Sequence, residues 1–194
     1  MRIFLGLLVV LVAAGAAAAG PLDGPGAVKT LNCTVCHGPQ GQSTSDSMPI
    51  LAGMSFTYFK KAIEDYAAGR RVSPEMEPYA KQVRELGVDD IAGYFAAQKK
   101  VPTTVPVDSA AVERGRKSAA QCASCHGDRG QGDVAKVVPD LRGQPPGYLR
   151  SQLLLFKQDR RSPGDEALKA AKAVIKPIPD ETLADLAAFF SSQR

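Results

Sequence analysis

The chain has 194 residues, enough for one large or two small domains. A formal net charge of +4, with no Lys/Arg run that interleaves aromatic residues, argues against a nucleic-acid binder. The scattered basic residues suit solubility and docking instead.

Residues 1–19 read MRIFLGLLVVLVAAGAAAA: Arg2, an apolar run broken by one glycine, then an Ala-x-Ala signal at 17–19. This is the pattern of a cleaved secretory signal peptide. Its apolar core is short for a membrane span, which needs about 20 residues. Loss of Arg2 with the leader lowers the charge by one, to +3. The expected product is an exported, periplasmic protein beginning near Gly20.

The first motif, CTVCH, occupies 33–37, and CASCH follows at 122–126. Together they contain all four cysteines and both histidines of the chain. Paired cysteines in an exported protein suit disulfides, zinc or a redox dithiol. None of these explains a histidine directly after the second cysteine both times. Cys-x-x-Cys-His is the attachment signal for c-type haem. Cys33 and Cys36, and again Cys122 and Cys125, are therefore expected to bind two haems covalently. His37 and His126 are the expected proximal iron ligands.

Loops are predicted after each motif, at 38–47 and 127–137, from their glycine and polar content. A Pro-x-Leu-x-Gly segment follows at 49–53 and again at 139–143. Apolar residues at 56, 59, 63 and 66 have helical spacing and lead to Arg70 and Arg71. Helices are also predicted over 90–98, over 110–122 and, after the start signal Pro179–Asp180, to the end of the chain. Strand alternation is absent, so the fold class is all-α. The aromatic stripes read chiefly as core.

The halves align from motif to terminal helix, at an offset that drifts from 89 to 95 residues. This is a duplication, with domains at 20–98 and 109–194 and a linker at 99–108 holding Pro102 and Pro106. Each domain is small for a purely protein core, and a buried haem would supply apolar area.

These features together resemble the cytochrome c4 family, and nearly the whole mature chain is covered. The segment GQPPGYLRSQLLLFK is the most specific part. The diheme subunit of flavocytochrome c sulfide dehydrogenase is similar in plan. The resemblance implies two tandem class I cytochrome c domains that transfer electrons in the periplasm. It implies redox protein partners: a membrane respiratory complex, a terminal oxidase or soluble oxidoreductase, or a flavoprotein subunit.

The resemblance also implies one methionine per haem, opposite the histidine. Met76, fifteen residues before Ile91, is the expected sixth ligand of the first haem; Met48 and Met54 are rivals. The second half departs from the pattern. The stretch after Arg161 is five residues longer than its counterpart, and no methionine follows Met76. Counting back from Leu186 lands on Ala171. Three arrangements stay open: an open or water-ligated iron, a lysine ligand (Lys169 or Lys172, with Lys176 further off), or a methionine from the first domain. In the family a proline carbonyl orients each histidine, and Pro49 and Pro139 match. Arg70, Arg71, Arg160 and Arg161 suit haem propionates or the surface.

Overall fold

A computed structural model describes residues 24–194. The proposed leader lies outside the described residues. Within them, nine α-helices and three short 3-10 turns occur, with two isolated antiparallel bridges and no strand. In the first half α1 is Leu31–His37, α2 Phe56–Ala67, α3 Met76–Leu86 and α4 Val88–Ala97. In the second, α5 is Ser109–Ser118, α6 Ala120–His126, α7 Pro146–Lys157, α8 Lys169–Ile175 and α9 Asp180–Ser192. No helix among the described residues is long and apolar enough to cross a membrane.

Each half closes around its own core. Phe59, Ile63, Ile91 and Phe95 centre the first; Leu149, Leu183, Leu186 and Phe190 centre the second. Burial of these side chains is the main stabilising term, about 1.5–3 kcal/mol for each large apolar group. The first and last segments of each half cross at a glycine. A Cβ on Gly26 would lie 2.1 Å from the Asp90 carbonyl oxygen, and one on Gly115 2.0 Å from that of Asp185. No other residue permits these approaches.

The loop that follows each motif is tied down in the same way. Leu51 N–H donates to Gly41 O and Leu141 N–H to Gly130 O, both at 2.8 Å. Gly53 N–H reaches Phe95 O at 2.9 Å, and Gly143 N–H reaches Phe190 O at 3.0 Å. The duplication read in the sequence is thus repeated bond for bond where the loop meets the terminal helix.

Two elements differ from the sequence reading. The helix expected over 110–122 is two helices, α5 and α6, separated at Ala119. The segment that begins at Met76 had no helix assigned, yet it forms α3. Pro78 is its third residue, and a proline is tolerated in a first turn because no N–H is needed there.

Candidate haem-binding sites

Each Cys-x-x-Cys-His motif ends a short helix, α1 or α6, so all three donors are fixed on one element. Cys33 and Cys122 are half-buried against the two cores, while Cys36 and Cys125 are exposed. None of the four forms a disulfide. The two motifs belong to separate cores, and no group of three or more His, Cys, Asp or Glu converges among the described residues. The zinc alternative therefore lacks a shared four-ligand site.

His37 is buried, and its Nδ1 is 2.9 Å from the Pro49 carbonyl oxygen. His126 Nδ1 is 3.2 Å from the Pro139 carbonyl oxygen. A carbonyl can only accept, so each Nδ1 carries the proton and each Nε2 keeps its lone pair. Burial pushes both imidazoles below their ordinary value, against the carbonyl bonds that favour protonation; Arg161 adds to the lowering at His126. A neutral ring with Nδ1 occupied and Nε2 free is what a metal requires. The expectation for Pro49 and Pro139 agrees with these distances.

Met76 opens α3 and is half-buried on the same core as Cys33. Ser73 Oγ accepts from Met76 N–H at 3.2 Å, and Glu77 Oε1 accepts from Ser73 N–H at 3.3 Å. These bonds hold the chain just before the helix, whose N-cap Glu75 makes no side-chain cap of its own. Met54 packs on that core too.

The second half has a different element here. The extra residues form a turn and a 3-10 segment, Glu166–Leu168, before α8. Helix α3 buries Ala80 and Val83, whereas α8 buries no residue fully. Lys169 is exposed, with its ammonium 3.4 Å from Glu166. Lys172 is largely buried, and its ammonium donates to Asp159 at 2.6 Å and to the Ser162 carbonyl. Lysine ligation at either position would require those contacts to be given up.

The four arginines divide into two kinds. Arg70 and Arg160 are exposed, whereas Arg71 and Arg161 are 3% and 8% exposed and face each other across the domain contact. Arg71 donates to Tyr148 Oη at 2.8 Å and to Gln152 Oε1 at 3.0 and 2.7 Å. Arg161 donates to Tyr58 Oη at 2.7 Å and to the same Gln152 oxygen at 2.9 Å. Arg71 stacks on Tyr66 and Arg161 on Phe156, at 4.4 and 4.3 Å. Burial raises the Tyr58 hydroxyl, but the charges and hydrogen bonds of Arg161 and Arg71 outweigh this and bring it down to about 8. Burial drives Tyr66 up to about 12.

The side-chain hydrogen bonds described for both guanidiniums end on neutral acceptors. A buried cation is costly without an anion. The paired arginines therefore fit the carboxylates of haem, just as the motifs fit its thioether and iron bonds. Sequence reasoning named these arginines but missed Tyr58, Tyr148 and Gln152 as their partners.

Fold and sites define a helical c-type cytochrome with two domains and two covalently attached haems. A family model described as cytochrome c matches residues 112–194. Cytochrome c4 of Pseudomonas aeruginosa is 30% identical over 192 residues, covering 95% of this chain and 92% of that protein. A thiosulfate dehydrogenase electron acceptor of Stutzerimonas stutzeri is 28% identical, covering 82% of this chain and 78% of its own. The crystal structure of reduced recombinant cytochrome c4 from Pseudomonas stutzeri superposes with a TM-score of 0.78 at 25% identity, covering 86% and 96% of the two chains. The chain belongs to the cytochrome c4 family. It is a diheme electron-transfer protein.

Proposed function

We propose that the chain is an exported, periplasmic carrier of single electrons, with a quinol-oxidising membrane complex upstream and a terminal oxidase or soluble oxidoreductase downstream. The observation that supports this reading is the pair of imidazoles, His37 buried and His126 half-buried, each with Nδ1 held by a proline carbonyl and Nε2 free. Bound c-type haem supplies reversible one-electron iron chemistry. Cys33, Cys36, Cys122 and Cys125 would anchor the two groups. His37 and His126 would ligate from one side, and Met76 would complete the first site. Arg71 and Arg161 would neutralise carboxylates inside the domain contact and keep water from them.

The similarity to a thiosulfate dehydrogenase electron acceptor supports a soluble dehydrogenase as one donor. A separate flavoprotein, as in a flavin-dependent sulfide dehydrogenase, is a further partner of the same kind. Mixing the oxidised holoprotein with quinol-oxidising membranes supplied with quinol, and separately with a thiosulfate dehydrogenase and thiosulfate, tests this. Rapid haem reduction in at least one mixture is expected. No reduction in either contradicts the proposed donors.

A second reading has one observation behind it: the second half has no methionine, and a surface helix replaces α3. We propose that the second iron is open or water-ligated, because Lys172 and Lys169 already have acidic partners. Such a site would bind a small ligand such as carbon monoxide or nitric oxide. Both histidines are committed to the motifs, so no histidine remains for acid–base help in peroxide chemistry. A low-spin second iron that loses its sixth ligand in Lys172→Ala would instead assign that ligand to the lysine.

A further inference from the structure

Gln144 belongs to the second half yet closes on the haem segment of the first. It is 5% exposed. Its Oε1 accepts from Ile50 N–H at 2.9 Å, and its Nε2 donates to Ile50 O at 2.8 Å. Ile50 N–H and Pro49 C=O are the two ends of one peptide unit. That carbonyl oxygen is the acceptor of His37 Nδ1–H, at 2.9 Å. The bonds therefore run in one direction: imidazole N–H to carbonyl, then amide N–H to Gln144. Amide resonance couples the ends of the peptide, so an acceptor on N–H raises the charge on the oxygen. A stronger acceptor at Nδ1 makes the imidazole a better donor at Nε2.

The second half lacks the reciprocal device. Met54 occupies the position that matches Gln144, and a thioether cannot donate. Asp140 matches Ile50, and its carboxylate is taken by Arg142 at 2.9 Å and by Lys100 at 3.5 Å. The His126 bond to its carbonyl is correspondingly longer, 3.2 Å.

We propose that Gln144 is a positioning residue through which the second domain sets the donor strength of His37. Docking of the two domains thus lowers the potential of the first haem and leaves the second untouched. The inference rests on His37 as an iron ligand, which the parent protein reports separately through a haem-shifted His37 Nδ1–H resonance. Absence of that resonance in the reduced parent would remove the ligand reading, and the proposal with it.

The test uses the reduced holoprotein. In Gln144→Leu the His37 Nδ1–H resonance is expected to move upfield and the first midpoint potential to rise, with the second unchanged. Gln144→Glu keeps the acceptor and loses the donor, so its resonance is expected at the parent position or downfield of it. An unmoved resonance in Gln144→Leu, a shift of the same sign in both variants, or equal movement of both potentials would overturn the proposal. Should Gln144→Leu not accumulate, Gln144→Glu alone decides: an upfield shift there overturns it.

Discussion

Met76 is the residue whose environment most resembles a ligand site, because its backbone is held at the head of α3 while its side chain meets the Cys33 core. Met76→Ala is expected to turn the first haem high-spin, read by absorption and magnetic circular dichroism; an unchanged low-spin spectrum would move the ligand to Met54. Asp65 makes a prediction of a different kind. Burial raises its carboxyl, but bonds to Lys61, Arg70 and Ser162 outweigh this and hold it below its ordinary 3.8. A depressed acid contributes stability that is present above 3.8 and is lost as pH falls through the lower folded value. Asp65→Asn should therefore flatten the stability–pH curve below pH 3.8 and leave the slope above it alone, as read by denaturant midpoints. At this scale the two motifs supplied the expected haem donors, and the family resemblance, not the residues alone, pointed to the carbonyls of Pro49 and Pro139, which do meet the histidines. The sequence did not reveal Gln144, Tyr58 or Tyr148, since their partners lie 77 to 103 residues away in the other half.

Helices α2 and α7 are equivalent in the duplication but begin differently. Ser55 caps α2 from within, accepting from Tyr58 N–H at 3.2 Å. The matching residue in the second half is Pro145, which has no side-chain cap to offer. Asp46 of the first half supplies it: Gly147 N–H donates to Asp46 Oδ1 at 2.8 Å and Tyr148 N–H to Asp46 O at 2.9 Å. Asp46→Ala is expected to cost about 1 kcal/mol, the usual value of an N-cap. Chemical denaturation checks it, and Ser55→Ala should cost a similar amount within the first half. The apolar spacing of α2 and the terminal helices was legible because their buried stripes are long. Helix α3 was not, since only Ala80 and Val83 are fully buried on it and Pro78 looks like a breaker. The loss of methionine from the α8 region was visible as a gap in pattern, though not that the segment becomes a surface helix.

The whole molecule is two similar domains whose contact is built from side chains exchanged across it. Arg71 meets Tyr148, Arg161 meets Tyr58, and the backbone pairs where Val72 N–H reaches Arg160 O at 3.2 Å. The linker is pinned to both halves: Val101 N–H to Gln42 Oε1 at 2.9 Å, and Thr103 N–H to Gly143 O at 2.8 Å. These bonds make the relative placement of the halves specific, which a sequence offset alone could not give. Gln144 breaks the symmetry of the contact and α8 that of the two halves, so the halves share the attachment motif and differ in the elements around it.

That difference is tested most directly by magnetic circular dichroism of the oxidised holoprotein, followed by reduction and titration with carbon monoxide. One low-spin iron with the signature of histidine and methionine, one high-spin iron, and carbon monoxide uptake by one haem per chain are expected. Two low-spin irons of the histidine–methionine type, with no carbon monoxide uptake, would contradict this expectation.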